Sequence, residues 1–194
     1  MTTITSSGPE TQTPAGYIEL LRGNRAFRQV WLGQVVSQLG DWFDTIAVYT
    51  LVLKLTGSGR ALGLVLVARF LPSVVVGPLA GVLADRFSRR AIMIWSDLLR
   101  ALVVLGFLFV RRPEHLWLLY ALTVLQLALS AFFEPARAAA VPSVVSEREL
   151  LPANALSSVT WSAMLTIGAA IGGEMTGRFG TDAAFVLDSA TYLA

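Results

Sequence analysis

Five ionisable side chains interrupt runs that are otherwise apolar: Asp41 and Asp44 in one run, Arg69 in the next, Asp97 and Arg100 in the third. An ionised Asp or Arg at the centre of a bilayer costs about 2.5–3.5 kcal/mol on insertion scales, so such residues face a bundle interior and either pair or work. Asp41 and Asp44 are three residues apart and lie on nearly the same helix face. Two carboxylates that close in low dielectric repel and lose hydration, which favours a proton on at least one of them. A carboxyl poised in that way can exchange protons with alternating sides of a membrane. The competing reading is that Asp41 pairs with a base, for which Arg69 is the nearest candidate by depth, while Asp44 sits near the outer surface. Arg69 has two further readings, as an anion contact for a substrate or as a side chain reaching the interface. Asp97 and Arg100, also three apart, are expected to form an intrahelical ion pair with a structural and gating role.

Enzymatic chemistry finds no support in the residue types. There is no Cys, and the single His, His115, cannot build a metal cluster with others of its kind. No Ser–Lys or other nucleophile–base pairing stands out at membrane depth, so no catalytic residue, metal or cofactor is expected. Of the 15 basic residues all but Lys54 are Arg, spread over loops without the clustering that nucleic acid would require.

The elements that must position these charges follow from composition. The chain is 55% hydrophobic and 14% charged, with a mean hydropathy of +0.64, against roughly 45–50% and 25% in soluble domains. Lipid is the expected solvent, and runs of about 20 residues are needed to cross about 30 Å of hydrocarbon. Residues 1–28 are expected to form a disordered cytoplasmic tail followed, from Tyr17 to Gln29, by an interfacial helix in which Arg22, Arg25 and Arg28 suit anionic headgroups, or equally by a plain basic flank of the first span. Residues 29–194 form the transmembrane bundle, with spans at about 30–55, 61–84, 91–110, 116–133, 153–175 and an incomplete 183–194. Pro72 and Pro78 are expected to kink the second span. Ser146-Glu147-Arg148-Glu149 fits a capping box, which predicts a short surface helix within 134–152. Trp31 and Trp117 suit the aromatic belt, whereas Trp42 and Trp161 suit a cavity wall.

With the amino terminus inside, eight loop arginines fall on the inner side and five basic residues on the outer, which favours that orientation. Laying GVLADRFSRRAIMI, from Gly81, over GEMTGRFGTDAAFV, from Gly173, aligns Arg86 with Arg178, Phe87 with Phe179 and Ala91 with Ala183. The offset pairs the turn after span two with the turn after span five, so each repeat holds three helices and the second is inverted. That is a plan shared by many secondary transporters.

The loop GVLADRFSRR, Gly81 to Arg90, resembles the signature loop between helices two and three of major facilitator transporters, Gly-x-Leu-Ala-Asp-Arg-x-Gly-Arg-Arg/Lys, with Ser88 in place of its second Gly. Gly168-Ala169-Ala170-Ile171-Gly172-Gly173 is similar to the Gly-Pro-x-x-Gly-Gly element of the exporting branches, with Ala169 for Pro. Phe132-Phe133-Glu134-Pro135-Ala136 and Ala153-Asn154-Ala155 look like the subgroup that holds siderophore and macrolide efflux pumps. The resemblance covers 29–194 and implies an all-α fold of two six-helix bundles, of which this chain supplies the amino-terminal half with its sixth helix truncated.

The resemblance also implies that Asp85 meets a helix amino terminus in the opposite bundle and locks the cytoplasmic side. Arg86, Arg89 and Arg90 then complete a charge network or act as positive-inside anchors. Gly168, Gly172 and Gly173 are expected to let helices approach closely. Taken together these expectations describe a multi-pass protein of the cytoplasmic (inner) membrane, exporting amphipathic small molecules in exchange for protons. Its expected partners are that substrate, protons, the lipid bilayer and a carboxy-terminal bundle or second half, with no nucleic acid. The alternative is a non-transporting membrane protein that packs against an intact transporter.

Overall fold

The computed structural model describes the backbone of residues 14–86 and 88–193, and their side chains except those of 73, 74 and 77–86. Most of the expected tail, and the side chains of Gly81, Asp85 and Arg86, therefore lie outside the described residues. The described chain is helical: α1 (Tyr17–Gly23), α2 (Arg25–Thr56), α3 (Gly59–Arg86), α4 (Arg89–Gly106), α5 (Leu116–Ala140) and α6 (Glu147–Thr191), with short 3-10 turns at Phe107–Phe109, Pro113–His115 and Val141–Ser143. Three segments among the described residues, Arg89–Phe109, Pro113–Ser143 and Glu147–Thr191, are long and apolar enough to cross a membrane. At 32 residues α2 is about 48 Å long, more than a bilayer's hydrocarbon thickness.

Local chemistry sets the boundaries. Asn24 stands in an extended conformation and caps α2, its Oδ1 accepting from Phe27 N at 2.9 Å. The single interfacial helix expected over 17–29 is therefore two elements, because a residue that caps cannot also continue the preceding helix. Gly57, at φ 59°, closes α2 with its N–H on Leu53 O at 2.9 Å. Ser88 caps α4, its Oγ accepting from Ala91 N at 3.2 Å. At φ −64° it sits where any residue can, so replacing the Gly of the family loop strains nothing here.

The helix runs through Pro72 and Pro78 in α3 without interruption. The surface helix expected within 134–152 is absent. Instead α5 continues through Pro135 to Ala140, and the Ser146 and Glu149 pair opens α6 itself, with Glu149 Oε2 accepting from Ser146 N at 2.9 Å. α6 is interrupted at Gly180, whose φ of 85° and ψ of 170° are open to glycine alone at little cost. The break falls between the expected fifth and sixth spans. The offset that lays Gly81 over Gly173 lays Ser88, at the start of α4, over Gly180.

α2 packs chiefly against α6, and α5 lies against α3 and α4. One core joins Val48 and Val52 of α2, Val65 of α3, Val104 of α4, Leu119 of α5 and Phe185 of α6, with the Phe107 and Phe185 rings stacked at 5.0 Å. A second, smaller cluster of Leu20, Phe27, Val141 and Ala153 fastens α1 to the opposite end of the bundle. Outward faces are apolar: Val67, Trp95, Leu102 and Trp117 are all more than 60% exposed. Such surface suits lipid and not water.

Candidate transport cavity and its charge network

A cavity of about 910 Å³ opens along the bundle, walled by α2, α3, α5 and the first part of α6. Gln34, Gln38, Ser157, Ser158 and Ser162 give it neutral polar lining, and Trp42, Tyr49, Phe70 and Trp161 give it aromatic faces. Asp41, Arg69, Glu134 and Arg137 are its charged residues. Polar and aromatic groups together in one concave space suit a ligand that is itself amphipathic.

Arg100 organises the charges. It comes from α4 and is 3% exposed; its Nη2 donates to Asp41 Oδ1 at 2.7 Å and its Nη1 to Asp97 Oδ1 at 3.2 Å. The guanidinium lies 4.1 Å from the Tyr192 ring centroid and 5.4 Å from that of Phe133. Stacking and forked donation together are what a guanidinium offers and an ammonium does not. The Tyr192 hydroxyl donates to Asp41 Oδ1 at 2.5 Å, and Gln126 Nε2 lies 3.4 Å from that hydroxyl. Asp41 itself is 41% exposed. It is the member of the network that faces the cavity while its partners lie behind it.

The other cavity charges are also engaged. Arg69 donates to Thr45 Oγ1 at 2.9 Å and lies 5.8 Å from the Tyr49 centroid; Thr45 in turn donates to the Asp41 carbonyl at 2.6 Å. The partner of Asp41 is thus Arg100, 59 residues away, and not the Arg69 that depth alone suggested. Arg137 donates to Glu134 at 2.9 Å and to Gln34 Oε1 at 2.9 Å. Asp44 is 2% exposed and buried in the interior, away from the outer surface that one reading gave it.

Two of the three span-five glycines make close approaches. A Cβ on Gly168 would lie 2.5 Å from Trp42 Cδ1, and one on Gly172 would lie 2.9 Å from the Trp42 carbonyl oxygen. Nothing lies within 4 Å of the equivalent point on Gly173, so it is not part of that contact. Trp42 and Trp161 line the cavity, and Trp31 donates its Nε1 to Thr160 Oγ1 at 2.9 Å, tying α2 to α6. Arg89 donates to the Ala139 carbonyl at 2.6 Å, joining the start of α4 to the end of α5, and Arg90 is exposed.

Residues 21–194 match the transmembrane secretion effector family of major facilitator (MFS) transporters. The chain belongs to that family. Among its relatives are the uncharacterized MFS-type transporter YfiS of Bacillus subtilis, 32% identical over 174 residues covering 89% of this chain and 41% of the relative. The putative bacilysin exporter BacE of the same species is 31% identical over 161 residues, 83% of this chain and 40% of the relative. Macrolide efflux protein A of Streptococcus pyogenes is 33% identical over 129 residues, 64% of this chain and 31% of the relative. The chain spans about 40% or less of the length of these curated relatives. No solved structure matches it. As a major facilitator chain with apolar, outward-facing helices, it is a multi-pass membrane protein of a transporter family, and the half-bundle seen here corresponds to the amino-terminal part of the fold.

Within that family frame, two residues of the network, Gln126 and Tyr192, and the buried Asp188 near it escaped the reading of the sequence. Asp188 carries the same signal that singled out Asp41, a carboxylate inside the apolar run AFVLDSATYLA. Gln126 and Tyr192 carry no such signal, because neutral polar and aromatic residues are common in spans.

Proposed function

We propose that the protein is a proton-coupled antiporter of the cytoplasmic membrane, oriented with its amino terminus inside, that exports amphipathic small molecules by alternating access. The observation that carries this reading is Asp41. Its carboxylate is exposed on the cavity wall yet held from behind by Arg100 and Tyr192. Protonation of Asp41 would remove the charge that holds Arg100, freeing the guanidinium for Asp97 and altering the contacts between α2, α4 and the end of α6. A ligand moves a two-state equilibrium only through a difference in its interaction with the two states. A proton on Asp41 supplies that difference, and a substrate in the cavity meets the same carboxylate. The names of BacE and macrolide efflux protein A support outward movement of small molecules.

The test is Asp41→Asn in the complete reading frame, reconstituted in vesicles with an imposed pH gradient and ethidium as the transported dye. Expected is normal membrane insertion with loss of gradient-driven dye movement. Undiminished gradient-driven movement removes Asp41 from the coupling role.

Asp85 belongs to the same proposal as a cytoplasmic lock, an anion set against a helix amino terminus of the opposite bundle. Asp85→Asn is expected to raise the labelling of cysteines introduced at the inner mouth of the cavity. Labelling equal to that of the parent protein counts against the lock.

A further inference from the structure

Behind Asp41 lie two more carboxylates that the cavity does not reach. Asp44 is 2% exposed and Asp188 is 0% exposed. Asp188 lies where α2 and the end of α6 touch at Gly40. A Cβ there would lie 3.0 Å from Thr191 Cβ and would collide with the Thr191 hydroxyl and the Asp188 carboxylate. Gly40 and Asp44 are one turn apart on one face of α2, so Asp188 packs on the face that carries Asp44. Each acid leaves one oxygen, Asp44 Oδ1 and Asp188 Oδ2, buried without a hydrogen-bond partner. The other oxygen of Asp188, Oδ1, lies 3.3 Å from Thr191 Oγ1.

The charged groups facing this pair are Asp41 on α2, Arg69 on α3 and Arg100 on α4, with Gln126 of α5 and Tyr192 of α6 beside them. Arg100 is engaged by Asp41 and Asp97, and Arg69 donates to Thr45. Among the described residues, no cation comes within ion-pair distance of Asp44 or Asp188. Among the described residues, the pair and the charged groups facing it thus amount to four carboxyls, Asp41, Asp44, Asp97 and Asp188, around two guanidiniums, Arg69 and Arg100. Two adjacent carboxylates, both ionised and both without water, lose hydration and repel each other. A proton on one removes the repulsion and turns an orphaned acceptor into a donor.

We infer that Asp44 and Asp188 form a proton-holding pair, a second proton site set behind Asp41. This rests on the proton-coupled reading of the cavity and adds to it a store distinct from the exposed carboxylate. Tyr192 follows Asp188 by one turn and donates to Asp41, so the end of α6 touches both sites. A change in the proton held at one site is then felt at the other through a single helical turn.

Infrared difference spectroscopy of the full-length protein, purified and equilibrated at neutral pH in H2O and in D2O, reads the proton directly through the carbonyl stretch of a protonated carboxyl. Expected is a band that shifts in D2O and loses intensity in Asp44→Asn and in Asp188→Asn, but not in Asp41→Asn. A band equal to wild type in both buried-acid variants overturns the inference. Should an Asn variant fail to extract as a single species, Asp188→Glu keeps a carboxyl: a displaced band supports the pair and an undisplaced band overturns it. Gradient-driven ethidium movement, measured on the same preparations, separates the two ideas. A wild type that moves no dye but loses its band in the variants keeps the pair and sinks the antiport reading. Dye movement with an invariant band sinks the pair alone.

Discussion

Arg100 and Asp41, 59 residues apart, are joined at 2.7 Å with the base 3% and the acid 41% exposed. The asymmetry gives the pair a direction. Its buried member is fixed by two carboxylates and two aromatic rings, and its exposed member is the one a proton or a substrate can reach.

Removing the buried member leaves Asp41, Asp97 and the Tyr192 hydroxyl without their common partner. Breaking a buried ion pair from one side destabilises by about 3–5 kcal/mol, because the remaining charge is uncompensated. Arg100→Met is expected to lower the thermal unfolding midpoint of the purified protein sharply. Arg100→Lys should recover only part of the loss, since an ammonium cannot fork to two carboxylates and stack on Tyr192 at once. Equal midpoints for the Met and Lys variants would mean that packing, not charge, is what Arg100 supplies.

Where α2 passes the first part of α6, the contact uses two small residues, Gly168 and Gly172, and not Gly173 beside them. Gly172→Ala puts a methyl 2.9 Å from the rigid Trp42 carbonyl and is expected to destabilise by about 1–3 kcal/mol through overpacking. Gly173→Ala meets nothing within 4 Å and removes a glycine from a helix, which is worth up to about 1 kcal/mol in the other direction. Thermal midpoints of the two variants should therefore fall on opposite sides of the parent. A matching drop in both would place the helix contact elsewhere.

Much of this arrangement is visible in the sequence because lipid makes the rules strict. Hydropathy marked out the long helices, and the same rule that makes a buried charge expensive pointed to Asp41, Asp44, Arg69, Asp97 and Arg100. The i,i+3 spacing placed Asp97 beside Arg100, since that contact is local. The pairing of Arg100 with Asp41 depends on how α2 and α4 cross, which no local pattern encodes. Depth along a span gave Arg69 in its place, and depth says nothing about azimuth. The segment after Phe133 was misread for a different reason. The expected fourth span ends at 133, yet α5 runs on through Pro135, and the capping pair at Ser146 and Glu149 starts the long α6 itself. A cap marks where a helix begins and carries no information about how far it runs.

The join between α1 and the rest of the bundle turns on Asn24. Its Oδ1 accepts from Phe27 N at 2.9 Å, while its Nδ2 donates to the Val144 carbonyl at 2.7 Å and to Glu149 Oε2 at 3.2 Å. One side chain thus caps α2 and ties it to the start of α6, and Glu149 also accepts from Ser146. Asn24→Ala removes all three bonds. Loss of the cap alone costs about 0.5–2 kcal/mol. The cluster of Leu20, Phe27, Val141 and Ala153 stays in place but loses the polar clamp beside it. Hydrogen exchange of the amides in 17–30 is expected to quicken while those of 47–52, in the far core, keep their protection. Asn24→Asp keeps the capping oxygen but not the two donations, so it should protect Phe27 N and still loosen α1. Uniform exchange across both stretches in both variants would show that the clamp does not act locally.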